Sequence, residues 1–187
     1  MNSVRSENAP LNNADKLPTV LFAHGKESGP WGDKIVALAE VAKSRGHQVE
    51  SLDFRGMNDP EERVNHLLHM ASGMKGPFIL VGSSMGGYVS IRASRLLPTL
   101  GLFLLAPAVM IPGYQEQQPE PGCKEVTIIH AWQDEIIPVH NVIDYAERHH
   151  AELHLVHSDH RLSGQIPLMC QLFEKFLPRC TLIAKAD

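Results

Sequence analysis

Short apolar runs alternate along the chain with segments in which apolar residues recur every three or four positions. Runs rich in Val, Ile, Leu and Phe are typical of buried strands, whereas the longer spacing indicates one buried face of a helix. The apolar runs predict strands at 18–23, 78–81, 102–106, 126–131 and 153–156, and alternation of apolar and polar residues predicts another at 48–54. The periodic segments predict helices that begin near residues 35, 59, 88, 138 and 164.

The alternation of strands and helices predicts the fold class. It indicates an α/β protein of one domain, with about six mostly parallel strands and helices on both faces of the sheet. Function in such sheets collects at the carboxyl ends of the strands. The segment 107–124 is rich in Pro, Gln, Glu and Gly, so we expect a surface loop there, too short to form a cap domain.

Composition and charge narrow the function classes. The chain has 187 residues, 43% hydrophobic and 20% charged, with a net charge of −4, as is ordinary for a globular domain. No basic patch with interleaved aromatic residues is present, so no nucleic-acid partner is expected. The longest apolar stretch, 101–111, is interrupted by Pro107 and is far shorter than the roughly 20 residues that span a bilayer. We therefore expect no membrane partner.

The termini, cysteines and histidines give further expectations. The first 16 residues are polar and lack the apolar core of a signal peptide, which predicts a flexible tail at 1–16 before a domain at 17–187. Three cysteines without C-x-x-C spacing favour neither a disulfide framework nor a zinc site, and indicate a cytoplasmic location. The histidines form no compact three-ligand motif, so neither metal nor cofactor is expected. A monomer and a homodimer remain equally compatible with the sequence.

The chemistry-bearing motif is Gly82-Ser83-Ser84-Met85-Gly86, which lies between an apolar run and a helical pattern. A turn this tight strains its central residue and needs glycines on both sides, so Ser84 is predicted to stand exposed at the apex. The free N–H groups at the start of the following helix point towards it. Ser83 is interpreted as a structural neighbour, and the alternative is that the motif arose by chance.

A serine nucleophile needs a base, and the base needs a group that orients it. The fifth predicted strand is followed by Asp134, and the sixth by His160, so both should lie at the same edge of the sheet as Ser84. Alternatives remain open at this point. Glu135 could be the acid, Asp134 could instead cap the next helix, and His157 competes with His160.

These residues resemble the α/β-hydrolase fold superfamily over about 18–178, and most closely its small lidless serine esterases. The matching motifs are the 82–86 elbow, Asp134 to Pro138, Asp159-His160 and His24-Gly25. The resemblance implies an oxyanion hole formed by the backbone N–H groups of Met85 and Lys26. It also implies a structural turn at 53–56 and a hydrogen-bonding role for His24. The chain departs from the family in having His130-Ala131 where His-Gly is common, and in its reduced cap.

The predicted function is a serine hydrolase that cleaves a small carboxylic ester or thioester through an acyl-enzyme. Ser84 is the expected nucleophile, His160 the base and Asp134 the orienting acid. A reduced cap predicts an open site and a shallow acyl pocket, which favours short or polar acyl groups. Two alternatives stay open: a silent binding protein with the same fold, and an acyltransferase or peptidase that uses the same residues.

Overall fold

The computed structural model describes residues 17–183, and the predicted tail at 1–16 lies outside them. One six-stranded sheet forms the centre, and all its neighbouring strands are parallel in the order β2-β1-β3-β4-β5-β6. The strands are β1 Thr19–Ala23, β2 Val49–Leu52, β3 Phe78–Ser83, β4 Thr99–Leu105, β5 Glu125–Ala131 and β6 Glu152–Val156. The helices are α1 Asp33–Ser44, α2 Pro60–Ser72, α3 Met85–Ser94, α4 Val139–His149 and α5 Ile166–Ile183.

Helices cover both faces of the sheet, as predicted. Helices α2, α3 and α4 pack on one face, and α1 and α5 pack on the other. Successive residues of a strand point to opposite faces, so Leu80 contributes to the first core and Val81 to the second. Strands that are buried on both sides explain the continuous apolar runs in the sequence. The single-domain α/β class is therefore confirmed.

Some element boundaries differ from the prediction because tertiary contacts decide them. Helix α3 begins at Met85 rather than near residue 88, directly after the tight turn, and ends at Ser94. Leu96 continues the helical spacing of Val89 and Ala93, which predicts a buried position, but it lies outside the helix and is 69% exposed. Strand β4 begins at Thr99 because that residue pairs with Phe78. Helix α5 continues through Pro178, since Cys180 still packs into the core.

The loop between β4 and β5 is only partly the surface loop that its composition predicts. Its first residues, 107–109, are buried beneath the turn that carries Ser84. Further on, the Tyr114 ring packs on the Tyr88 ring of α3, and the Gly122 N–H donates to Ser94 Oγ. The loop thus runs along α3 from its first turn to its last, away from the serine. No helix within 17–183 is both long and apolar enough to span a bilayer.

The sheet order locates the crevice in which a site can form. From β1 the chain moves to β2 on one side, and then returns to β3 on the other. The connections after β1 and β3 therefore leave the carboxyl edge in opposite directions, which is where a crevice for a ligand forms in such sheets. Ser84 follows β3, and the loop that begins at His24 follows β1.

Candidate active site

Ser84 forms the apex of the turn between β3 and α3. Its φ of 54° and ψ of −120° lie in a region that residues with a side chain rarely occupy. Neighbouring segments hold it there: its N–H donates to Leu105 O at 2.9 Å, and its carbonyl accepts from Ala108 N at 3.0 Å. The backbone is thus fixed on both sides while the hydroxyl remains free to react.

The two glycines of the motif allow chain segments to touch. A Cβ on Gly82 would overlap the carbonyl oxygen of Gly86, and one on Gly86 would overlap the carbonyl oxygen of Ala23. Both obstacles are backbone atoms, which cannot move aside as a flexible side chain can. The spacing of the motif therefore has the physical cause that the sequence indicated.

The structure brings together Ser84, His160 and Asp134. His160 Nε2 lies 3.0 Å from Ser84 Oγ, and His160 Nδ1 lies 2.7 Å from Asp134 Oδ2. Because the Nδ1–H donates to a carboxylate, the lone pair of the neutral ring is on Nε2 and faces the hydroxyl. An imidazole held in this way can accept the serine proton.

The two carboxylate oxygens of Asp134 have different hydrogen-bond partners. Oδ2 faces His160, while Oδ1 accepts the backbone N–H groups of Ile136 at 2.9 Å and Ile137 at 2.8 Å. Burial alone would raise its pKa, but hydrogen bonds from His160, Ile137 and Ile136 outweigh burial and lower the pKa below the ordinary value. The capping alternative is wrong: the N-cap of α4 is Pro138, with no side-chain cap hydrogen bond, and Asp134 Oδ1 instead holds the turn that precedes the helix. The competing residues Glu135 and His157 are exposed.

A second buried histidine lies beside the acid. His130 is fully buried at the end of β5, and its Nδ1 is 3.7 Å from Asp134 Oδ2. Its Nε2 lies 3.1 Å from Ile137 O, so the proton of the neutral ring lies on Nε2. Burial lowers the pKa of His130, which favours this neutral form. The sequence marked this position only as a departure from the family pattern.

The loop after β1 approaches the serine from the other side of the crevice. A Cβ on Gly25 would lie 3.5 Å from Ser84 Cβ, so this backbone touches the nucleophile turn. His24 is fully buried, with Nδ1 donating to Gly25 O at 2.7 Å and Nε2 accepting the Phe54 N–H at 2.9 Å. Burial lowers the pKa of His24, which keeps the ring neutral. Its hydrogen-bonding role agrees with the expectation from the sequence.

Two backbone N–H groups were predicted to form an oxyanion hole. Met85 is the first residue of α3, where an N–H has no carbonyl acceptor within its own helix. Lys26 follows Gly25 in the β1 loop, and its side chain is exposed. Both residues therefore belong to the two segments that border the Ser84 side chain.

Lys34 is a neighbour that the sequence did not reveal. It lies near the start of α1, and its Nζ donates to Ser83 Oγ at 3.3 Å. Burial lowers the pKa of this amine, while Asp159 and Asp134 act in the opposite direction. It was missed because a lysine on an amphipathic helix has the pattern of an ordinary exposed residue.

The remaining nucleophiles and metal ligands offer no second centre in the described chain. Cys123, Cys170 and Cys180 are free thiols, and burial raises the pKa of Cys123 to about 12. A thiol with so high a pKa is a poor nucleophile at neutral pH. Within residues 17–183, no group of three or more His, Cys, Asp and Glu side chains could hold a metal ion.

Curated relatives of this chain are thioesterases by name. The bovine palmitoyl-protein thioesterase ABHD10, mitochondrial, is 26% identical over 193 residues, which is 92% of this chain and 62% of that protein. The mouse protein of the same name is 30% identical over 112 residues, covering 54% of this chain and 38% of the mouse protein. The chain thus spans less than two thirds of the length of these relatives.

Solved structures agree with the fold. A protein described as a hydrolase of the alpha/beta superfamily, from Xanthomonas campestris pv. campestris, superposes with a TM-score of 0.80 at 34% identity, covering 86% of this chain and 98% of that one. An alpha/beta serine hydrolase without a lid, from Xanthomonas campestris, has a TM-score of 0.69 at 18% identity, covers 88% and 84%, and supports the fold alone. The model of the alpha/beta hydrolase family matches residues 20–165. The chain therefore belongs to the alpha/beta hydrolase family.

Proposed function

We propose that this protein is a serine hydrolase that cleaves a carboxylic ester or thioester through an acyl-enzyme. The observation that carries the proposal is the continuous hydrogen-bonded series from Ser84 Oγ through His160 to Asp134, with separations of 3.0 and 2.7 Å. A serine hydroxyl is a weak nucleophile at neutral pH, and a base at this distance makes it reactive.

In the first half of the reaction, Ser84 Oγ attacks the substrate carbonyl carbon while His160 Nε2 takes the hydroxyl proton. The tetrahedral intermediate then collapses, and His160 gives that proton to the leaving alcohol or thiol. In the second half, His160 takes a proton from water as the water oxygen attacks the carbonyl carbon of the acyl-Ser84 ester. When this second tetrahedral intermediate collapses, His160 returns the proton to Ser84 Oγ, and the acid is released. The Asp134 carboxylate stabilises the imidazolium that forms in each half.

The negative oxygen of the intermediate needs hydrogen-bond donors that are already in position. We assign this role to the backbone N–H groups of Met85 and Lys26. Met85 is supported by its position at the positive end of α3, beside Ser84. Lys26 is supported by the contact of the preceding Gly25 with the Ser84 side chain.

We propose a small ester or thioester as substrate. The thioester class is supported by the names of the ABHD10 relatives, which say palmitoyl-protein thioesterase. A small acyl group is supported by the route of the β4–β5 loop, which follows α3 away from the serine. Trp132 and Ile136 flank Asp134 in the loop between β5 and α4, and at 52% and 64% exposed they leave apolar surface open to a ligand.

We also propose a reducing compartment and retain the cytoplasm as the expected location. The three free thiols are consistent with it, whereas the ABHD10 relatives are named mitochondrial. No nucleic-acid or membrane partner is proposed, and the chain acts on its small-molecule substrate as a monomer or a homodimer.

The proposal is tested first by intact-mass analysis after treatment with a fluorophosphonate, which reacts only with an activated serine. Wild type should gain one adduct, Ser84→Ala none, and His160→Ala should react far more slowly. Ser83→Ala is the matched control, because it removes the adjacent hydroxyl and should still gain the adduct. Folded wild type that gains no adduct would favour a binding protein over an enzyme.

The oxyanion assignment is tested at Lys26 with two variants. Lys26→Pro removes the backbone N–H, and loss of one such donor typically lowers kcat by about 10²–10³. Lys26→Ala keeps the N–H and removes only an exposed side chain, so its kcat should match wild type. Steady-state kinetics with p-nitrophenyl acetate measure both, and circular dichroism verifies folding. Equal rates in folded Lys26→Pro and Lys26→Ala would exclude this donor.

The state of Asp134 is tested by the pH dependence of stability. Its pKa in the folded protein lies below the ordinary 3.8, so the carboxylate contributes stability above that pH, and the contribution disappears as the pH falls below it. Urea unfolding of wild type and Asp134→Asn should show the wild-type advantage shrinking between pH 5 and pH 3. An advantage that grows on acidification would mean that the folded pKa is raised instead.

Acyl preference is tested with p-nitrophenyl esters and the matching acyl thioesters of increasing chain length. An open site that leaves the chain in water predicts that kcat/KM falls, or stays level, beyond about six carbons. Full burial would instead add about 0.8 kcal/mol for each CH₂, or about fourfold in kcat/KM. A steady rise towards palmitoyl would overturn the small-acyl assignment, with rates in Ser84→Ala giving the background.

A further inference from the structure

Arg63 is an unusual residue in this core. It lies near the start of α2 and is 1% exposed, as buried as the aromatic residues around it. A buried guanidinium is normally paired with a carboxylate, because removing an unpaired charge from water is costly. Among residues 17–183, no carboxylate oxygen lies within 4.0 Å of its nitrogens.

Backbone carbonyls take the place of a carboxylate. Arg63 Nε donates to Met57 O at 2.8 Å, and Nη1 donates to His24 O at 3.1 Å and to Gly25 O at 3.3 Å. The guanidinium also lies over the Phe54 ring, 5.4 Å from its centre. The side chain therefore connects the loop after β2 with the loop after β1.

The Gly25 carbonyl oxygen accepts hydrogen bonds from three side chains. In addition to Arg63, it accepts from His24 Nδ1 at 2.7 Å and from Ser28 Oγ at 3.4 Å. This carbonyl shares a peptide group with the N–H of Lys26. In a trans peptide the C=O and N–H point in opposite directions, so fixing the oxygen also fixes the direction of the N–H.

The charge adds an electrostatic effect to this geometry. A charged donor on a carbonyl polarises the amide and makes the N–H at its other end a stronger donor. A positive group on the far side of the peptide also favours negative charge that develops on the near side. Arginine remains protonated at neutral pH, although burial lowers the pKa of Arg63.

We infer that Arg63 is a positioning residue that orients and polarises the Gly25–Lys26 peptide for oxyanion binding. The inference rests on the proposed function, since it concerns one of the two donors assigned there. A purely structural connection between the loops would not need a charge, and a buried apolar side chain of similar volume would often be more stable. The buried charge is explained if it stabilises, through the Gly25–Lys26 peptide, the negative oxygen of the tetrahedral intermediate.

The test compares Arg63→Lys and Arg63→Met with Arg45→Met. Arg45 is a half-exposed surface residue that pairs with Glu174, so its loss should leave kcat unchanged. Rates on p-nitrophenyl acetate are divided by the fraction of sites that a fluorophosphonate can label, which removes the effect of unfolded enzyme. We expect Arg63→Met to lower kcat per active site about 10- to 100-fold, with KM within about threefold. The kcat per active site of Arg63→Lys, which retains the charge, should lie between the values for wild type and Arg63→Met.

A double substitution shows whether Arg63 acts through the Lys26 N–H. In the Lys26→Pro background that donor is absent, so adding Arg63→Lys should lower kcat no further. An equal fold-loss in both backgrounds would overturn the inference. So would Arg63 variants whose active fraction falls while kcat per active site stays at the wild-type value, the result expected of a purely structural residue.

Failure of the inference can be distinguished from failure of the proposed function. Wild type that neither labels nor hydrolyses ester contradicts the function itself. Wild type that is active, with folded Arg63→Met equally active per site, contradicts only the inference. Where Arg63→Met does not fold, Arg63→Gln takes its place, because it removes the charge while its side-chain amide can still donate to a carbonyl.

Discussion

The structure depends on the close approach of α3 to the end of β1, where the backbone of Gly86 touches the carbonyl of Ala23. Glycine permits this approach, and Ser84, two residues earlier, has a positive φ of 54° at the apex of the turn. Such a conformation costs about 1–3 kcal/mol and persists only where the surroundings fix it. Bonds to Leu105 and Ala108 supply that support, and both come from the segment around the end of β4. The position of one serine is thus determined by three strands.

The sequence was informative where the spacing of a motif or the topology of the sheet carries the physical cause. The glycines around Ser84 are explained by contacts within the turn and with the adjoining strand, so their spacing was sufficient to predict it. Asp134 and His160 could be predicted as neighbours because parallel strands bring their carboxyl ends to one edge. The register of β5 with β6, which pairs Ala131 with Val156, produces that outcome here.

The sequence was less informative where burial depends on distant contacts. Arg63 precedes the buried Val64 on an amphipathic helix, and arginine as a residue type predicts a solvated side chain. Its acceptors at His24 and Gly25 lie 39 and 38 residues away along the chain. Leu96 shows the opposite error. Its apolar side chain at helical spacing predicts a buried position, but α3 ends at Ser94 and Leu96 is exposed. Distant partners decide the position of Arg63, whereas Leu96 is exposed because α3 ends before the helical spacing of apolar residues does.

The groups that border the crevice share one arrangement: hydrogen bonds hold one end of each group and leave its other end for a partner in the crevice. The ring of His160 is held through Nδ1, which leaves Nε2 for the serine. Asp134 is held through Oδ1, which leaves Oδ2 for the histidine. The Gly25 carbonyl is held by three donors, which directs the attached N–H the other way. Groups fixed in this manner need not reorganise when charge develops, and that is the property on which electrostatic catalysis depends. The crevice therefore obtains an oriented polar environment from groups that the fold already holds in place.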